Sequence, residues 1–128
     1  MAGAGLAALV LPIGAVSRTL PPGISENDFQ LRVIQWVTYN GWLAYHTHDS
    51  RRSVEGFPDL CCVPDARLRP DLAGQGAVFL ELKSEKGRVS AAQEKWVAAL
   101  HAAGVEVRII RPADWPWVVE RFGRRRAV

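Results

Sequence analysis

The chain has 128 residues, 48% hydrophobic and 23% charged, with a formal net charge of +3. That length suits one domain around one core, and the balance is that of a soluble globular protein rather than a membrane protein. The positive charge leans toward a polyanionic partner without establishing one.

Met1 to Val16 is apolar and small-residue-rich. It lacks a basic leader, is broken by Pro12 and Gly14, and is too short to span a bilayer, so neither export nor membrane insertion is expected and the cytoplasm is the expected compartment. Two readings stand for it: a mobile tail, or a segment packed on a neighbouring subunit. Pro21-Pro22-Gly23 then acts as a hinge. The expected organisation is an N-terminal segment over 1–23, a domain over 24–123 and a basic tail over 124–128.

Ser25-Glu26-Asn27-Asp28 has the form of a helix start, with Ser25 as N-cap and acids favoured by the helix dipole. Phe29, Val33, Trp36 and Val37 recur at helical spacing and make one face apolar as far as Asn40-Gly41. Trp42 to His48 alternates as a strand. Its His46-x-His48 pair invites zinc, but Cys61 and Cys62 are adjacent and would point to opposite faces of a strand, so no closed ligand set forms. The cysteines read as buried filler in a reduced protein.

Arg51 and Arg52 sit in a polar loop that runs into Gly56-Phe57-Pro58-Asp59 and the apolar run Leu60-Cys61-Cys62-Val63. A second apolar run, Val78-Phe79-Leu80, ends in Glu81-Leu82-Lys83, and alternation along a strand places Glu81 and Lys83 on one side, about 6–7 Å apart. Taken alone, Glu-x-Lys would be an exposed ion pair of little worth. If the two runs form an antiparallel hairpin, however, Asp59 falls opposite Glu81, about 5 Å away. Carboxylates that close repel unless a cation sits between them, which points to a hard divalent ion, Mg²⁺ or Mn²⁺. The further dipeptides Pro64-Asp65 and Pro70-Asp71 fall outside this cluster and read as turn formers.

Ser84 to Arg88 makes a tight basic turn, and Ser90 with Gln93 forms a capping box opening the next helix. Gln93, Trp96, Val97 and Leu100 share one face, with Gln93 directed at the cleft and Trp96 expected in the core. A strand over Val105–Ile110 follows, and Asp114 precedes a last helix with proline in its first turn. Passage from the Glu81 strand through a helix to this strand makes the two strands parallel. The run Arg121 to Arg126 either grips a nucleic-acid backbone or is simply solvated.

The set Gly56-x-Pro58-Asp59, Glu81-Leu82-Lys83 and Ser90-x-x-Gln93-x-x-Trp96 resembles the PD-(D/E)xK nuclease superfamily and, within it, the compact VRR-NUC type, over Glu26 to Phe122. The resemblance implies an α/β, restriction-endonuclease-like αβββαβ core with a mixed sheet flanked by helices, plus a C-terminal helix. It further implies a Mg²⁺- or Mn²⁺-dependent endonuclease acting on DNA. Asp59, Glu81 and the backbone carbonyl of Leu82 would bind the metal, Glu26 would lie beside it, and Gln93 would border the active site. Lys83 would orient the attacking water or offset transition-state charge. Arg51, Arg52, Lys86 and Arg88 are candidates for holding the DNA backbone. Branched DNA as substrate and a homodimer presenting two sites are expectations of the same kind; the competing expectation is a DNA-binding or assembly module with the same fold and no turnover.

Overall fold

The computed structural model describes residues 19–47 and 54–124. Helix α1 (Glu26–Tyr39) starts where the Ser25 hydroxyl accepts the Asp28 N–H at 3.1 Å. Its Phe29, Val33, Trp36 and Val37 are buried, as their spacing dictates. The helix stops at Asn40-Gly41, where Gly41 has φ +86° and a Cβ there would lie 2.9 Å from the Arg69 side chain. Only glycine fits that corner.

Strands β1 (Trp42–His46), β2 (Leu60–Pro64), β3 (Val78–Leu82) and β4 (Glu106–Ile110) form one sheet in the order β1-β2-β3-β4. The first three are antiparallel neighbours, and β4 runs parallel to β3. Helix α2 (Ala91–Ala102) makes the crossover between β3 and β4, and helix α3 (Trp115–Phe122) closes the domain. The mixed sheet with flanking helices and a C-terminal helix is the architecture expected from the sequence. No described helix is long and apolar enough to cross a membrane.

The core lies on one face of the sheet, where Leu60, Cys62, Val78, Leu80, Leu82 and Ile110 meet α1 and α3. The α3 stripe of Trp115, Val118 and Phe122 completes it. Trp42 stacks edge-on against Phe122 at 4.7 Å and donates its indole N–H to the Phe122 carbonyl, while Trp36 does the same for Val119, both at 3.2 Å. These tryptophans therefore bury area without leaving a donor unpaired.

Arg69, 3% exposed, joins this core from the β2–β3 connection. It donates to the carbonyls of Asn40 (2.8 Å) and Phe122 (3.1 Å) and forks onto both oxygens of Asp71. The guanidinium holds the Asp71 carboxyl below the usual range. Asp65 accepts the Arg67 N–H in its own turn at 2.9 Å. Both aspartates serve the connection, as turn chemistry predicts.

Among the described residues, the opposite face of the sheet is only partly covered. Helix α2 contributes no fully buried residue, and Trp96, expected in the core, is half-buried. A single helix over β3 and β4 cannot close the face above β1 and β2. The strand expected over Trp42–His48 ends at His46, and His48 falls outside the described residues, as do residues 1–18, Arg51, Arg52 and the end of the basic tail.

Candidate active site

Pairing of Leu60 with Leu80 and of Cys61 with Phe79 fixes the register between β2 and β3. Continued by one residue, it sets Asp59 opposite Glu81. Alternation then places Phe57, Asp59, Cys61, Phe79, Glu81 and Lys83 on the face away from the core. The Oδ2 atom of Asp59 accepts the Leu82 backbone N–H at 3.0 Å, so the aspartate is tied to the end of β3.

Two features of the preceding loop aim that aspartate. Gly56 has φ +91°, and a Cβ there would come within 2.5 Å of the Ala92 backbone carbonyl, so this loop presses on the first turn of α2 as no other residue could. Next to it, the Phe57 ring meets Trp96 at 5.0 Å and Phe79 at 5.8 Å, both edge-to-face. Pro58 is buried, and Asp59 follows at the mouth of the strand.

Glu81 is only 1% exposed. Its Oε2 accepts the Gln93 side-chain N–H at 2.9 Å, whereas its Oε1 is buried with no hydrogen-bond partner. Burial, first of all, pushes the carboxyl up to about 8. The neighbouring Asp59 carboxylate adds to the rise, Lys83 opposes it, and Glu26 contributes a smaller upward push. Glu81 thus favours its protonated form unless a further positive charge enters the site.

Gln93 does two things at once. Its Oε1 accepts the Ser90 N–H (2.9 Å) while the Ser90 hydroxyl accepts the Gln93 N–H (3.1 Å), which completes the capping box. Its Nε2 is left for Glu81. Capping and site-facing roles, which look like alternatives in the sequence, are filled by opposite ends of one amide.

Lys83 is half-buried, and its backbone N–H donates to the Ile110 carbonyl at 3.0 Å. The turn beyond it is held by Arg111, whose guanidinium donates to the carbonyls of Ser84 (2.7 Å) and Gly87 (2.8 Å). Sequence reasoning missed this arginine, and its position between a strand and a proline carries no local signal of partners more than twenty residues away. Lys86 and Arg88 are exposed on the same turn. Glu26, exposed in the first turn of α1, is close enough for its charge to act on Glu81. His46 pairs with Leu60 and so belongs to the other face of the sheet.

Among the described residues no three His, Cys, Asp or Glu side chains cluster as an all-side-chain metal site. Two carboxylates, one with a buried oxygen lacking a partner, still suit a hard cation. Magnesium commonly takes one or two carboxylates and leaves its other positions to water, carbonyl and phosphate oxygens. Asp59 and Glu81 are such a donor pair, beside a lysine that adds a fixed positive charge.

Comparison with known proteins bears on the fold and the family. A family model described as "VRR-NUC domain" matches residues 23–114. A solved structure described as a "VRR_NUC domain protein" superposes with a TM-score of 0.55 at 18% identity, covering 78% of this chain and 88% of that one, which supports the fold. Comparison with curated proteins returns no match. With the family model spanning most of the domain, the chain belongs to the VRR-NUC family, a nuclease-type domain that implies processing of DNA.

Proposed function

We propose that this protein is a divalent-metal-dependent endonuclease that hydrolyses DNA phosphodiester bonds. The observation that carries the reading is Glu81: a carboxyl buried to 1%, facing a second carboxylate, with one oxygen lacking any partner. A buried charge of that kind costs several kcal/mol if left alone, roughly, and is retained where a cation or a reaction requires it.

In this reading Asp59 and Glu81 hold Mg²⁺ or Mn²⁺. The carbonyl of Leu82, whose N–H already faces Asp59, is a further ligand. When bound, the cation polarises the phosphate and lowers the pKa of a water. Gln93 fixes the orientation of Glu81 by holding Oε2, which leaves Oε1 for the cation. Lys83, on the same face as Glu81, offsets the charge that builds on the phosphate oxygens and helps position the attacking water. Glu26 orders the water shell or a second ion. Lys86 and Arg88 supply positive charge for the DNA backbone at the turn beyond the site. Branched DNA as substrate and a homodimer presenting two sites belong to the same proposal, since a domain this small offers little surface for reading base sequence.

The test is cleavage of labelled linear, nicked, flapped and four-way DNAs in Mg²⁺, Mn²⁺ and EDTA, with light scattering for subunit number. Lys83→Ala is expected to fold and bind DNA yet lose cleavage, whereas Asp59→Ala and Glu81→Ala also weaken metal binding by calorimetry. Undiminished cleavage by all three, or cleavage indifferent to EDTA, defeats the proposal. Binding with no metal-dependent cleavage by the wild-type protein would instead indicate a non-catalytic module.

A further inference from the structure

Beyond the carboxylates, the site face continues across the sheet as a surface that no described helix covers, carrying aromatic rings. Tyr45 pairs with Cys61 across β1 and β2. It therefore lies diagonally from Asp59, about 7–8 Å away along the sheet. Its side chain is 70% exposed, and Phe57, two residues before Asp59, is 40% exposed. Phe57 is not a loose surface ring, because Trp96, Phe79 and the Gly56 contact with α2 hold it in place. One ring held in place and a second exposed beside it, next to a candidate phosphate-cleaving centre, suit a partner with flat faces.

Resting on the nuclease reading, we infer that Tyr45 and Phe57 form a stacking platform for unpaired bases flanking the phosphate held at Asp59 and Glu81. The occupant is a single DNA strand. Lys83, Lys86 and Arg88 supply positive charge beyond one side of the carboxylates, and the neutral rings lie on the other. A nucleic-acid strand offers both anionic phosphates and π-faces. A second copy of this chain, with net charge +3, would bring further positive charge against the lysines and arginine. Paired bases cannot present their faces, so the platform selects for DNA that is open next to the cut.

Single-stranded oligonucleotides carrying 2-aminopurine at successive positions, together with a blunt duplex, test this with the full chain. In the Lys83→Ala protein, which the nuclease reading expects to bind without cutting, fluorescence should be quenched at one or two adjacent positions. Tyr45→Leu and Phe57→Leu, each made in that background, should abolish the quenching and weaken single-strand binding about tenfold, as for the loss of one stacked base. Blunt-duplex binding should be little changed. In otherwise wild-type protein Tyr45→Leu, which lies outside the loop that aims Asp59, should raise KM for single-stranded substrate while kcat holds. Leucine keeps an apolar body between Phe79 and Trp96, and thermal melting confirms folding. Absence of quenching, or equal losses on single strand and duplex, overturns the platform. So does Tyr45→Leu converting a dimer to a monomer while quenching persists, because the face would then be closed by a second copy. The fluorescence needs no turnover: quenching without cleavage by the wild type defeats the nuclease reading and supports the platform, whereas cleavage without quenching does the reverse.

Discussion

Leu80 and Glu81 are neighbours in β3 and almost equally buried, yet they face opposite sides of the sheet and are solvated in opposite ways. Leu80 meets the apolar side chains of α1 and α3, where every contact removes carbon from water. Glu81 points to the α2 side, where one oxygen has Gln93 and the other has nothing. One face therefore supplies stability and the other consumes part of it. A charged group that the fold itself does not satisfy is tolerated because the strand carrying it is anchored from behind by Val78, Leu80 and Leu82.

Substitutions on the two faces should accordingly give opposite signatures. The largest expected effect is on the site face: Lys83→Ala should lower cleavage by about 10²–10³-fold, the scale for losing a preorganised charge partner. Circular dichroism and melting temperature should hardly move. On the core face, Leu80→Ala should cost about 2–4 kcal/mol in urea unfolding through transfer and cavity terms. Cleavage per folded molecule should be kept. Equal loss of both properties in either variant would dissolve the contrast.

A subtler test uses Glu81→Gln. The amide can still accept from Gln93 and can donate to Asp59, so metal-free protein should gain roughly 1–2 kcal/mol of stability while cleavage is lost. Burial raises the Glu81 pKa from 4.5 to about 8 in the folded chain. The folded state consequently keeps a proton that the unfolded state gives up, and metal-free stability should fall as pH rises through that window. The fall should vanish in Glu81→Gln and be reversed by Mg²⁺ or Mn²⁺. A flat profile for the wild type would show that Glu81 is not carrying the burden described. Smallest of all, Gln93→Ala should cost about 1 kcal/mol through the lost cap and leave cleavage reduced. Gln93→Glu, which adds a third carboxylate beside Glu81, should reduce cleavage further at low metal concentration than at high.

Much of this contrast was legible in the residues themselves. Two apolar runs joined by a turn-rich segment place Asp59 and Glu81 opposite each other once they pair about its middle, and strand alternation adds Lys83. The face of α1 followed from Phe29, Val33, Trp36 and Val37 because a 3.6-residue period leaves little choice. What escaped depends on partners distant in the chain. Arg69 and Arg111 look like ordinary surface arginines until three-dimensional neighbours supply the carbonyls they hold. Trp96 was expected in the core because a helical stripe shows which residues share a side, not whether the opposing layer is wide enough to cover them. The need for glycine at position 56 arises from Ala92, thirty-six positions later, which no local pattern announces.

Arg69 also bears on how the molecule can be cut or extended. It follows β2 on one side while Asp59 precedes it on the other, so the clasp that gathers the carbonyl ends of α1 and α3 is a strand's length from the carboxylates. Fusions or tags appended after Gly123 would tug on the clasp and leave the chemistry alone, whereas a chain shortened to lose Phe122 would open the fold from its far end.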